Sequence, residues 1–162
     1  MSAEIVARPL DPEAFHAFGD VIDTSGAPDK VINQGLCGRF HDRARLDFGD
    51  GHAGISLFDA VPRQMPYQLD LLERHPAGSQ AFVPMSPDPF LVIVAEDEGD
   101  RPGRINAFVT AQGQAVNLLR GTWHGVLTPL GPSGLFAVID RIGPGDNLEE
   151  YPLPRPVMVT LP

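Results

Sequence analysis

The sequence predicts a mainly β fold, a barrel or pair of packed sheets with one short helix near the N-terminus. Three observations carry this. Proline and glycine number 17 each among 162 residues, and punctuation that dense leaves no room for long helices. About ten short stretches read as strands, separated by turn signals every roughly 8–12 residues. The best helical signal is confined to Asp11–Gly19. A chain of this length is one domain, residues 1–162, large enough for a sizeable core.

The elements follow in order. Glu4 to Leu10 reads as a first strand. Asp11 then caps a helix with Pro12 at its first position, Glu13 favouring its dipole and Gly19 ending it, about two turns in all. Phe15 and Phe18 are its apolar anchors. Asn33 to Asp42 (NQGLCGRFHD) is a strand with Arg39 and His41 on one face. Asp47 to His52 (DFGDGH) is a turn at the tip of a hairpin, and Ile55 to Phe58 a short strand.

Tyr67, Leu69 and Leu71 alternate with Gln68 and Asp70, the period of a strand bounded by Pro66 and Pro76. Continued, that alternation turns Glu73 and His75 to the interior. Phe90 to Ala95 is a continuous apolar run, a buried strand. Ile105–Thr110, Ala115–Leu119 and Leu135–Ile139 are further strands. The proline-rich tail from Tyr151 is expected to run extended along the surface.

Composition excludes several classes of function. The net charge is −9 with no basic run, which speaks against nucleic acid. No apolar run approaches the length of a membrane span. Cys37 is alone, which fits a reducing cytoplasm, and the first ten residues lack the apolar centre of a signal peptide.

The polar groups concentrate in Leu72 to Met85 (LERHPAGSQAFVPM), where Glu73, His75 and Gln80 surround a break at Pro76 and Gly78. A second unit, Gly121-x-x-His124, presents another imidazole. Imidazoles exchange protons near neutral pH, so His75 and His124 suit general acid and base roles, with Glu73 as orienter or base. One carboxylate, two imidazoles and an amide (Glu73, His75, His124 and Gln80) can also hold a divalent metal. Arg39 or Arg141 suits a carboxylate clamp, Gln80 and Asn117 an amide, and Trp123 a pocket wall. Each has a plainer alternative: a solvated turn for His75, core packing for His124 and Trp123, a surface ion pair for Glu73, structural ion pairs for the two arginines.

The two units resemble the paired motifs of the cupin superfamily, His-x-His-x(3–4)-Glu followed by Gly-x-x-His, with Glu73 in place of the first His and Gln80 in place of the Glu. Further stretches are similar to a narrower family. FHAFGDVI from Phe15, NQGLCGRFHD from Asn33, ERHPAGSQAFVP from Glu73, VNLLRGTWH from Val116 and DRIGPGDN from Asp140 resemble ureidoglycolate lyases in the same order. The resemblance implies a cupin-like double-stranded β-helix barrel and a cytoplasmic homodimer. It also implies a carbon–nitrogen lyase of allantoin and purine catabolism that splits (S)-ureidoglycolate into glyoxylate and urea, with nickel as the associated metal. Against the family pattern, Leu118-Leu119 replaces Tyr-His, Gly125 replaces a His and Asp59 an Arg. The competing expectation is a cupin that binds a small carboxylate without catalysis, or acts on a different one.

Overall fold

Apolar residues occupy both faces of the central strands, so those strands must be covered on both sides. The computed structural model describes residues 2–162. Its larger sheet has the order β1 (Ala3–Val6), β15 (Glu149–Thr160), β7 (Tyr67–Arg74), β12 (Trp123–His124), β9 (Phe90–Asp97), β10 (Pro102–Val109) and β2 (Arg8–Pro9), with β13 (Thr128–Pro129) also on β9. β1 and β2 are two halves of one bent segment. The first half pairs in parallel with β15 and the second with β10. The two edges of the sheet therefore meet, and the sheet is a nearly closed barrel. The smaller sheet has the order β3 (Gly19–Ile22), β11 (Ala115–Leu118), β8 (Gln80–Pro84), β14 (Leu135–Ile142) and β6 (His52–Asp59). β4 (Lys30–Ile32) and β5 (Cys37–Arg39) form a separate ribbon. The cupin-like, mainly β architecture expected from the sequence is the one the chain adopts.

Two cores result. Phe90, Val92 and Val94 of β9 face the smaller sheet and pack with Phe82, Val116, Phe136 and Val138. The alternate residues Leu91, Ile93 and Ala95 face into the curl of the larger sheet, against Leu69, Leu72, Trp123 and Val159. α1 (Pro12–Phe15) plugs the first core with Phe15, which is fully buried.

Five local expectations change. Asn33–Leu36 is the turn of the ribbon and only Cys37–Arg39 is strand, so His41 lies beyond it. The helix is one turn, not two: Asp11 caps it by accepting from Ala14 N at 2.8 Å, but the chain leaves helical geometry before Gly19, which begins β3. Asp47–His52 is a turn but not a hairpin tip, because β6 pairs only with the distant β14. The tail is not a surface strap. It is β15, twelve residues long, hydrogen-bonded to both β7 and β1, with Val157 and Val159 in the second core. Its prolines are accommodated in an irregular stretch: Pro152 lies opposite Leu71, yet Val157 lies opposite Leu69. β7 also changes phase there. Tyr67, Leu69 and Leu72 all belong to the second core, so Glu73 faces the first core and not the side of Tyr67 and Leu69. Glu73 does point inward, but into the cleft between the sheets.

Candidate active site

β7 delivers Glu73 and ends at Arg74; His75 follows it, directly before Pro76, which has no N–H to offer a ladder. His124 arrives on the two-residue β12, which wedges between β7 and β9. It lies directly opposite Glu73 on one side and Val94 on the other. The turn before it needs a left-handed residue, and Gly121 supplies it at φ +75°. Gly121 N donates to His75 O at 3.0 Å, joining the two polar units through their backbones.

Both imidazoles have fixed tautomers. His75 Nδ1 lies 2.7 Å from Asn147 O, and His124 Nδ1 lies 2.9 Å from Thr122 O. A carbonyl only accepts, so each ring carries a proton on Nδ1 and presents Nε2. Both Nε2 atoms are buried without a hydrogen-bond partner among the described residues. Glu73 Oε1 approaches His124 Nε2 at 3.5 Å, an ion-pair distance rather than a well-formed hydrogen bond. The two rings are 5.1 Å apart. The interaction with His124 holds the Glu73 carboxyl below the ordinary glutamate range, overcoming the opposite effect of burial, and the His75 ring adds to it.

One donor atom from each of Glu73, His75 and His124 lies within 4.8 Å of the others. Two unpartnered imidazole nitrogens facing a carboxylate are a donor set that fits a divalent cation. The same atoms are also the ones an acid–base reaction needs.

Gln80 opens β8 on the face that carries Phe82, and its Nε2 donates to Asp140 Oδ2 at 3.1 Å. The other expected residues are not gathered at this cluster. Trp123 adjoins His124 in a strand and so points the opposite way, into the second core against Tyr151. Asn117 lies on the opposite face from Val116 and Leu118; its Nδ2 donates to Asp20 Oδ2 and Arg45 O, both at 3.1 Å. The Arg141 guanidinium is held by Asp50, at 2.6 Å, and donates to Pro144 O. Arg39 is exposed on the ribbon, opposite Lys30.

Two residues at the cluster were missed from sequence. Asn147 straps the His75 turn, accepting from the ring through its carbonyl and from Ala77 N through its side chain at 2.8 Å. Asp140 holds the Gln80 amide. Strand parity was the available signal for Asp140: Phe136 and Val138 face the core, so Asp140, not Arg141, continues that face.

The departures from the family pattern are placed unequally. Asp59 pairs with Leu135 while Gly54 pairs with Asp140, so Asp59 sits about 16 Å along the strand from the level of the cluster. A side chain at Gly125 would meet Ile93 and Leu69 of the second core. Leu118 pairs with Gln80 and shares with His124 the wall of a small apolar cavity.

A nearly closed β-barrel sheet packed on a second sheet, with two imidazoles and a carboxylate gathered between them, defines a cupin-like protein with a built polar centre. The family described as ureidoglycolate lyase matches residues 2–160. The ureidoglycolate lyase of Rhodobacter capsulatus is 62% identical over 156 residues, 96% of this chain and 97% of that one. The ureidoglycolate lyase of Chelativorans sp. is 47% identical over 161 residues, 98% of each chain. Ureidoglycolate lyase 2 of Rhizobium meliloti is 47% identical over 154 residues, 94% of each. The chain belongs to the ureidoglycolate lyase family.

Proposed function

We propose that this protein cleaves (S)-ureidoglycolate into glyoxylate and urea, a step of allantoin and purine catabolism. The observation that carries this is the pair of buried, unpartnered Nε2 atoms facing Glu73, in a chain of this family. Ureidoglycolate bears a hydroxyl, a carboxylate and a ureido nitrogen on one carbon. As the hydroxyl proton leaves, the carbon–oxygen double bond forms and the carbon–nitrogen bond breaks. The bonding pair goes to the urea nitrogen, which takes up a proton.

His75, its Nδ1 proton tied to Asn147, offers the Nε2 lone pair as base. His124, beside Glu73, is the acid, and the carboxylate holds the proton on its Nε2 until the urea nitrogen takes it. Exchange through the partly exposed Glu73 restores both rings. Glu73, His75 and His124 are also the residues that would hold a divalent cation, with nickel the one implied by the resemblance. Such a cation would supply Lewis-acid activation of the hydroxyl. Gln80 would take the ureido group.

We further infer a cytoplasmic homodimer. The outer face of the smaller sheet is apolar across three strands: Ile55 lies beside Ile139, and Ala137 lies between Leu57 and Val83. Ile55 and Leu57 are exposed there, the kind of patch that marks an interface. No helix among the described residues is long and apolar enough to cross a membrane.

Product analysis tests the function. Glyoxylate and urea in equal amounts, above the spontaneous rate, are expected. Ammonia in place of urea would mean hydrolysis of the ureido group and contradict the proposal. Repeating the assay after chelation, and with Ni²⁺ or Mn²⁺ restored, assigns the metal.

A further inference from the structure

Gln80 is 5% exposed, and its Oε1 has no hydrogen-bond partner among the described residues. The reason lies across the strand pair. Gln80 is directly opposite Asp140, and its Nε2 donates to Asp140 Oδ2. A carboxylate can only accept, so it captures the NH₂ end of the amide and turns the carbonyl end away. The amide cannot flip without setting two acceptors against each other. Parity with Phe82 on β8 and with Val138 on β14 puts both side chains on the inter-sheet face, the face of His124. A buried carbonyl in this state is costly until a donor reaches it.

We propose that Asp140 is a specificity-determining positioning residue: it fixes the Gln80 amide so that Oε1 accepts an N–H from the ureido group of the substrate. The inference deepens the ureidoglycolate reading and rests on it. It explains how the site separates a ureido acid from the plain small acids that share its carboxylate. Oxalate, and glyoxylate as the aldehyde, carry no N–H or O–H donor; a carbonyl or carboxylate oxygen of theirs at this point would face the lone pairs of Oε1. A second consequence follows for metal binding. Oε1 is kept for the substrate, so a cation is held by Glu73, His75 and His124 without Gln80.

Ureidoacetate tests this without turnover. It has the carboxylate and the ureido group but no hydroxyl, so it cannot be cleaved. Its binding and that of glyoxylate are measured by calorimetry on the full-length protein and on Gln80→Leu and Asp140→Asn, with melting curves to confirm folding. Loss of one buried hydrogen bond predicts ureidoacetate binding weakened about 5- to 100-fold in Gln80→Leu, with glyoxylate binding changed less than about 2-fold. Asp140→Asn, which lets the amide point either way, should fall between wild type and Gln80→Leu. Ni²⁺ affinity should be unchanged in Gln80→Leu. Equal losses for both ligands, no loss for ureidoacetate, or loss of Ni²⁺ binding would each overturn the inference. The cleavage assay is scored separately. A wild type that prefers ureidoacetate but does not split ureidoglycolate keeps this inference and sinks the proposed reaction; active enzyme with no such preference does the reverse.

Discussion

Arg74 sits over the ring of Trp123, its guanidinium carbon 4.2 Å from the ring centroid. Each is the sequence neighbour of a site residue, Arg74 of Glu73 and Trp123 of His124. On the reverse of the strand pair they therefore lock the register that sets Glu73 opposite His124. Arg74 also pairs with Glu149 at 2.7 Å and with Asp97, whose carboxylate accepts from Trp123 Nε1.

Arg74→Ala should lower stability by about 1–2 kcal/mol through loss of the cation–π contact and its stem packing. Because the cluster loses its brace, kcat should fall roughly ten- to hundred-fold with KM little changed. Arg74→Lys keeps the charge but not the planar stacking group and should recover only part of both. Denaturant melts and steady-state kinetics on the three proteins separate the effects.

Glu73 gives a pH signature. Its folded carboxyl is held below its ordinary value of 4.5, chiefly by His124. The unfolded chain therefore takes up its proton at higher pH than the folded one. The stability from this group is full above the unfolded value and is lost as pH falls through the folded one. Glu73→Gln should flatten that part of the acid limb in melting temperature against pH, and lower the cleavage rate about 10²- to 10⁴-fold.

Asp20 is the counterpart outside the site. Burial alone would raise its carboxyl. The Arg45 backbone N–H, the Asn117 amide and the Arg45 guanidinium outweigh it, and the net shift is downward. Asp20→Ala strips these donors of a shared acceptor and leaves Asn117 Nδ2 with Arg45 O alone. A cost of about 1–3 kcal/mol is expected in urea melts. Cleavage of ureidoglycolate by folded protein should be unchanged, since Asp20 lies beside Asn117 on the face opposite Val116 and Leu118.

Gly125→His, a return to the family pattern, should not improve the enzyme. A Cβ there already stands 3.4 Å from both Ile93 and Leu69. The ring would enter an apolar core, at about 1–3 kcal/mol. Thermal melts should show the loss, and kcat should not rise.

The sequence was most readable where one strand rule acted alone. The all-apolar Phe90–Ala95 run is the buried strand that its composition predicts, whereas the phase change in β7 turns Glu73 to the face opposite Tyr67 and Leu69, where it meets His124. It was least readable where distant segments decide. The tail looked like a surface strap because its prolines lack ladder donors, yet its register slips around them and Val157 and Val159 complete the second core. Trp123 and Asn117 looked like pocket residues by nearness in sequence; parity sends both to the opposite face. Arg141 looked like a clamp, but the turn at Asp50 claims its guanidinium. Asp140 and Asn147 matter through partners about sixty and seventy residues away, as their bonds to Gln80 and His75 show, a separation that no local pattern reports.

The central claim is that Glu73, His75 and His124 together perform the cleavage. Its most direct test is the glyoxylate and urea released from ureidoglycolate by wild type and by His124→Gln, a variant that fills similar space and can still donate toward Thr122 O. With folding confirmed by circular dichroism, wild type should release both products well above the spontaneous rate, and the variant should fall to that rate. A folded His124→Gln protein that retained most of the wild-type rate would contradict the account.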